Sequence, residues 1–179
     1  SGQRARADDP AFASTLSWAI RSVLLIAIPA TAALAVLAEP LLATLFQYGA
    51  FSGDDRAMAA ASLRAYTLGL GAFMLVKVLA PGFYARKDMH ATVRIGIIAM
   101  VANMVLNVVF VFPLMWWLNL GHVGLALATS VSAWLNALLL FRGLRRDAVL
   151  PQGSLPFKWL VQVTAVSYTH LRAHETVAN

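Results

Sequence analysis

Cysteine is absent from the sequence, which removes disulfides and thiolate metal sites as sources of stability or chemistry. Charge is scarce as well: Asp, Glu, Lys and Arg make up 12% of 179 residues, about half the share usual in a soluble domain. Acidic residues are the scarcest charges, eight against fourteen basic ones. No Gly-rich phosphate loop, Ser-His-Asp set, metal-ligand cluster or paired-carboxylate site can be drawn from the residues present, and Asp54-Asp55 reads as loop chemistry. The expectation is a protein that is not an enzyme and holds no cofactor or metal.

What is present is apolar surface. The hydrophobic fraction is 60% and the mean hydropathy +0.70. A soluble fold of this length cannot hide that much apolar area, whereas a bilayer solvates it, at roughly 20 residues per spanning helix. The fold class expected is an all-α membrane protein with four complete transmembrane helices and a truncated fifth.

The runs without charge place these helices. Ser22 to Ala38 carries no charged residue; Glu39-Pro40 interrupts, and Leu41 to Phe46 continues apolar, so one span covers 16–46, with Pro29 as a tolerated kink. Glycines and acids at Gly49 to Arg56 mark a loop in which Ser52 or Asp54 could cap the next helix. The second span, about 62–85, carries Lys77 deep inside it and Pro81-Gly82 near its end. Arg86-Lys87-Asp88 is a polar turn. Ile95 to Phe141 is then free of Asp, Glu, Lys and Arg over 47 residues (141 − 95 + 1). As one helix it would measure about 70 Å, so it divides into spans at 93–117 and 122–141 joined by a turn over Trp116 to His122. Residues 1–13 read as a loop, 147–166 as a loop and the start of a further helix from Leu155 to Val166. Ser167 to Asn179 changes character abruptly, resembles a translated sequencing adapter, and is read as non-native. His170 and His174 in it have metal-ligand spacing but no third ligand, so no metal is assigned.

Basic residues orient the spans. With the N-terminus cytoplasmic, inside loops and helix ends hold Arg4, Arg6, Arg21, Arg86, Lys87, Arg94, Arg142, Arg145, Arg146 and Lys158, ten against the two outside, Arg56 and Arg64. The positive-inside rule selects that orientation. The same distribution accounts for the net charge of +6 without invoking nucleic acid.

Lys77 stands out among single residues. It lies about 12 Å of helix from Ala85 and about 18 Å from Ala65, and a charge at such depth costs roughly 2.5–3.5 kcal/mol on insertion scales unless it faces a cavity or partner. It reads as cavity lining that offers a cation to an anionic substrate, as half of an ion pair with a carboxylate elsewhere, or as a side chain reaching cytoplasmic water beside the Pro81-Gly82 kink. Arg21 reads as a residue snorkelling to lipid phosphates, or as cavity lining. Asn103 and Asn107 share one face of the third span and Asn136 sits midway along the fourth; buried amides join helices or touch substrate. Gly69, Gly71 and Gly96, with the Ala/Ser-rich fourth span, allow close packing. Arg86, Lys87 and Arg94 form a cytoplasmic cluster, an orientation signal or a gate. Trp116, Trp117 and Tyr48 read as interface anchors.

Three stretches together carry a resemblance: Leu45-Phe46-Gln47-Tyr48-Gly49-Ala50-Phe51; Lys77-Val78-Leu79-Ala80-Pro81-Gly82-Phe83-Tyr84-Ala85-Arg86-Lys87-Asp88; and Gly121-His122-Val123-Gly124-Leu125-Ala126 with Asn136 downstream. From Ser14 to Arg146 the chain resembles the MurJ/MviN family of lipid II flippases, in the multidrug/oligosaccharidyl-lipid/polysaccharide exporter superfamily. Met89-His90-Ala91-Thr92-Val93 departs from the family pattern in lacking a proline before the third span. The resemblance implies a fourteen-helix, two-lobe inverted-V transporter fold, in which these spans match the ninth to twelfth helices and the start of the thirteenth. It implies a bacterial inner-membrane protein that moves an undecaprenyl-pyrophosphoryl saccharide-peptide outward by alternating access. Its partners would be that lipid-linked precursor, membrane lipids and the remaining helices of the parent protein. Candidate cavity residues are then Lys77, Arg21, Asn103 and Asn107, and candidate gate residues Arg86, Lys87 and Arg94. The alternatives are another lipid-linked oligosaccharide flippase or exporter of the superfamily, a drug/cation antiporter, or a membrane segment without transport of its own. The antiporter reading needs an intramembrane carboxylate, which spans two to four lack.

Overall fold

In hydrocarbon a backbone has no water to bond, so an apolar run satisfies its own amides and carbonyls as helix. The computed structural model describes residues 10–46, 53–85, 87–118 and 120–147, and nearly all of them are α-helical. The helices are α1 (Pro10–Phe46), α2 (Gly53–Ala85), α3 (Met89–Leu118) and α4 (Gly121–Arg146). Each is long and apolar enough to cross a membrane. They outrun the bilayer: α1, with 37 residues, is about 55 Å long. Pro29 and Pro40 both sit inside it without ending it. The expected fifth helix, the tail from Ser167, residues 1–9, Tyr48 and Arg86 lie outside the described residues.

Two boundaries differ from those read in the sequence. Helix α2 starts at Gly53, so Asp54 lies in its first turn beside Asp55 and is not its cap; both acids there complement the positive end of the helix dipole. The turn between α3 and α4 is shorter than Trp116 to His122, because Trp116 and Trp117 finish α3 and His122 is already in α4. The Leu120 amide donates back to the Leu114 carbonyl at 2.9 Å and closes this turn. The turn between α2 and α3 does fall at Lys87-Asp88. There the Lys87 and Asp88 amides donate to the Tyr84 and Phe83 carbonyls at 3.0 and 3.1 Å, and Lys87 has φ 59°. That is a Schellman ending with lysine where glycine is usual. Asp88 then caps α3 by accepting the Ala91 amide at 3.1 Å.

Laterally the order is α1–α2–α4–α3, with α4 packed against both α2 and α3, and α2 and α3 barely touching. Small residues put α4 in the middle. Gly124, Ala126, Ala128, Ser130, Ala133 and Ala137 are buried along it. A methyl group on Gly124 would lie 2.8 Å from the Phe110 carbonyl oxygen, so α3 and α4 meet backbone to backbone there. A methyl on Gly69 would meet Ser130 Oγ at 2.8 Å. Two hydrogen bonds fasten α4 to α2 at that level: Ser130 Oγ donates to the Ala65 carbonyl at 2.7 Å, and Trp134 Nε1 to the Leu68 carbonyl at 2.8 Å. The larger core side chains, Leu16, Ile20, Leu79, Phe83, Leu140 and Leu144, gather where the start of α1 meets the ends of α2 and α4. At the opposite end Arg64 ties α2 to α1, reaching Glu39 at 3.3 Å and the Ala35 carbonyl at 3.2 Å. Both charges are about half exposed, so the pair contributes about 0–1 kcal/mol.

Candidate functional site

Because α4 separates α2 from α3, a groove of about 410 Å³ is left between α2 and α3 with α4 as its floor. Helical spacing decides what lines it. Phe73, Val76 and Lys77 come from α2, and Gly96, Ala99, Met100 and Asn103 from α3. The floor presents Thr129, Ser132, Ala133 and Asn136. Lys77 is exposed on the groove wall and makes no hydrogen bond or ion pair among the described residues. No Asp or Glu occurs between 57 and 87 or between 89 and 146. The groove therefore sets one cation and a few amide and hydroxyl groups in a mainly apolar lining at mid-helix depth, with no carboxylate from the spanning parts of α2, α3 or α4 to neutralise the charge.

The amides form a directed chain. Asn107 Nδ2 donates to Asn103 Oδ1 at 3.2 Å, Asn103 Nδ2 to Ser132 Oγ at 3.0 Å, and Ser132 Oγ to the Thr129 carbonyl at 3.0 Å. Asn103 thus joins α3 to α4, a bond worth about 0.6–2 kcal/mol inside a membrane. Its placement also lets it face the groove. Asn107 supports Asn103 from behind and does not itself line the groove. Two acceptors, Asn107 Oδ1 and Asn136 Oδ1, are buried with no hydrogen-bond partner among the described residues.

Other expected site residues fall elsewhere. Arg21 is exposed on α1, which packs along α2 at the edge of the layer and contributes nothing to the groove. Lys87 and Arg94 are exposed at the end of the bundle where α2 stops and α3 starts. Arg142, Arg145 and Arg146 line a cleft with Phe141 at the foot of α4, at the end of the bundle that also holds the α2–α3 turn. Gly96 packs against none of the described residues: a methyl group there would meet nothing within 4 Å among them, so within these four helices this glycine widens the groove wall. Sequence reasoning passes over Thr129 and Ser132, and reads Asn136 as joining helices or touching substrate without placing it beside them. Their spacing, i, i+3 and i+7 on an otherwise apolar helix, is the signal that could find them.

A larger groove of about 580 Å³ follows the seam of α1 and α2, from Leu24 and Ala27 to Ala35 and Arg64, with Trp134 at its back. Among the described residues Arg64 is the charged group that lines it, already paired with Glu39. Its chemistry suits hydrocarbon, which leaves the Lys77 groove as the place for a polar group.

The family model "Lipid II flippase MurJ" matches residues 1–176. A relative named probable lipid II flippase MurJ from Vibrio cholerae is 52% identical over 138 residues, covering 77% of this chain and 25% of that protein. One from Haemophilus influenzae is 47% identical over 138 residues, covering 77% of this chain and 26% of its own length. The lipid II flippase MurJ of Burkholderia cenocepacia is 39% identical over 161 residues, 90% of this chain and 30% of that protein. Among solved structures, a lipid II flippase MurJ in an inward closed conformation superimposes with TM-score 0.77 at 23% identity, over 98% of this chain and 35% of that one, and so shares the fold. The chain spans 25 to 30% of the length of these curated relatives.

Proposed function

The chain belongs to the lipid II flippase MurJ family, and from that premise we propose that it supplies part of the C-lobe wall of a transporter that moves lipid II from the inner to the outer leaflet of the bacterial inner membrane. The observation that carries this reading is the groove between α2 and α3: an ammonium without a partner among the described residues, set with amide and hydroxyl groups, about 12 Å of helix inside an apolar span. Ion insertion at such depth is unfavourable unless something polar faces it. The pyrophosphate of a lipid-linked precursor is such a group, and lysine binds phosphate as a mobile point charge.

In this account Lys77 attracts the headgroup, the second amide N–H of Asn103 donates to it, and the Thr129 and Ser132 oxygens, whose hydrogens go to helix carbonyls, accept from it. The polyprenyl tail stays in hydrocarbon. The groove is half of a chamber whose other half belongs to the remaining helices of the parent protein, and alternating access opens that chamber to one side at a time. The N-terminus of α1 lies on the cytoplasmic side, as the basic excess requires. Lys87, Arg94 and the Arg142/Arg145/Arg146 cleft then form a cationic collar at the cytoplasmic mouth, where the anionic headgroup enters. The protein transfers no group and breaks no bond, so the driving force comes from an ion gradient or the membrane potential.

Expression of the full-length gene in a flippase-depleted strain tests this reading. Restored growth with lipid II reaching the outer leaflet is the expected result. Normal membrane insertion without lipid II exposure would instead favour another superfamily transporter, or a segment with no transport of its own.

A further inference from the structure

Asn103 lines the groove, and both ends of its carboxamide are held. At one end its Nδ2 donates to Ser132 Oγ at 3.0 Å, and Ser132 is itself a groove residue. At the other its Oδ1 accepts from Asn107 Nδ2 at 3.2 Å, and Asn107 lies one turn further along α3, outside the groove lining. The nitrogen end of Asn103 therefore lies toward the groove and the oxygen end away from it. The direction of these hydrogen bonds is set from both sides. Ser132 gives its hydrogen to the Thr129 carbonyl at 3.0 Å, so toward Asn103 it can only accept. Asn107 keeps its own Oδ1 buried without a partner among the described residues. Turned round, it would put an amino group, with two hydrogens to satisfy, in that same spot. One hydrogen of Asn103 Nδ2 is left over, beside the groove that also carries Lys77.

We propose that Asn107 is a positioning residue for the substrate: by donating to Asn103 Oδ1 it keeps the Asn103 carboxamide turned so that an N–H, and not the oxygen, faces the anionic headgroup. Without that donor the oxygen is left half-buried and unmet. A half-turn of the side chain then carries it to the groove, where the Ser132 hydroxyl can donate to it instead. Such a turn replaces a donor by an acceptor, which repels the substrate's own acceptor oxygens. The groove keeps its volume and its lysine and loses part of its fit to an anion. The inference rests on the reading of the groove as the headgroup site, and its test separates the two.

The measurement is the affinity of purified full-length protein for lipid II in detergent, in a double-mutant cycle of Asn107→Leu and Asn103→Leu. With Asn103 present, Asn107→Leu weakens binding by about tenfold or more, the loss of one hydrogen bond to a charged group. In the Asn103→Leu background the same substitution changes affinity by less than about twofold, because no carboxamide remains to be turned. A purely structural Asn107 would give equal losses in both backgrounds, and that outcome overturns the proposal. So does an unchanged affinity of Asn107→Leu with Asn103 in place. If Asn107→Leu does not insert stably, Asn107→Ala replaces it in the cycle and is read by the same criterion. Failure of both to insert would make Asn107 a structural residue and overturn the proposal as well. Lys77→Met, measured alongside, tells the failures apart. Weaker binding in Lys77→Met with no change in Asn107→Leu removes the positioning role alone. Unchanged binding in both Lys77→Met and Asn103→Leu removes the headgroup reading of the groove, and the positioning role with it.

Discussion

Gly124 and Gly96 look alike in the sequence, each a glycine in an apolar run, and they do opposite things in space. Gly124 lets the backbones of α3 and α4 touch, and a methyl group there would strike the Phe110 carbonyl at 2.8 Å. Gly124→Ala is therefore expected to lower the stability of the full-length protein by about 1–3 kcal/mol. Gly96 faces open space, so Gly96→Ala is expected to be neutral or to stabilise α3 by up to about 1 kcal/mol. Thermal unfolding in detergent distinguishes them, and a matching loss at both positions would show that Gly96 is a packing residue after all. Gly96→Phe should fill the groove and slow transport with little loss of stability. Lys77 is legible because a lone charge in a long apolar run has few explanations. Asn136 is not, because a neutral amide in a membrane helix joins helices as readily as it meets a ligand, and only the fold shows an oxygen without a partner among the described residues. Arg21 misleads for the complementary reason: its depth is visible in the sequence, but the side of the layer on which α1 packs is not.

The turns carry a second level of information. That α2 ends and α3 begins near Lys87-Asp88 follows from charge alone. How the turn is built does not, since the sequence offers lysine where a left-handed residue is required. Replacing Lys87 by glycine removes a steric cost of about 1 kcal/mol, partly offset by the greater freedom of glycine in the unfolded chain. The expected outcome is unchanged or slightly higher thermal stability. Lys87→Val should destabilise, because a β-branched side chain tolerates positive φ poorly. Asp88→Ala removes the α3 cap and should lower stability by about 1 kcal/mol. The α3–α4 turn falls where the sequence puts it but is shorter, because paired Trp with nearby Asn and Gly imitates a longer loop. Both Trp are instead among the most exposed side chains described, on the last turn of α3. Such rings anchor a helix end at the membrane surface without leaving the helix.

For the whole molecule, four helices are readable from charge-free lengths, because backbone in hydrocarbon has no alternative to helix. Their lateral order is not, since lipid exposes as much apolar surface as a core hides; α3 reads as the most hydrophobic span and is the least buried. The orientation proposed from charge is open to direct test. The chain lacks cysteine, so single cysteines at Asp54 and Asp147, on a cysteine-free full-length background, would report sidedness. Cysteine at 54 should react with an impermeant maleimide on intact cells, and cysteine at 147 only after lysis; the reverse pattern would invert the assignment. The central claim is that the ammonium of Lys77 serves the passage of an anionic headgroup through the groove. The most direct measurement is the rate at which lipid II appears in the outer leaflet, with full-length variants at matched membrane levels. The account predicts that Lys77→Ala loses most of that rate and Lys77→Arg keeps part of it. A Lys77→Ala protein that flips lipid II at the normal rate would contradict it.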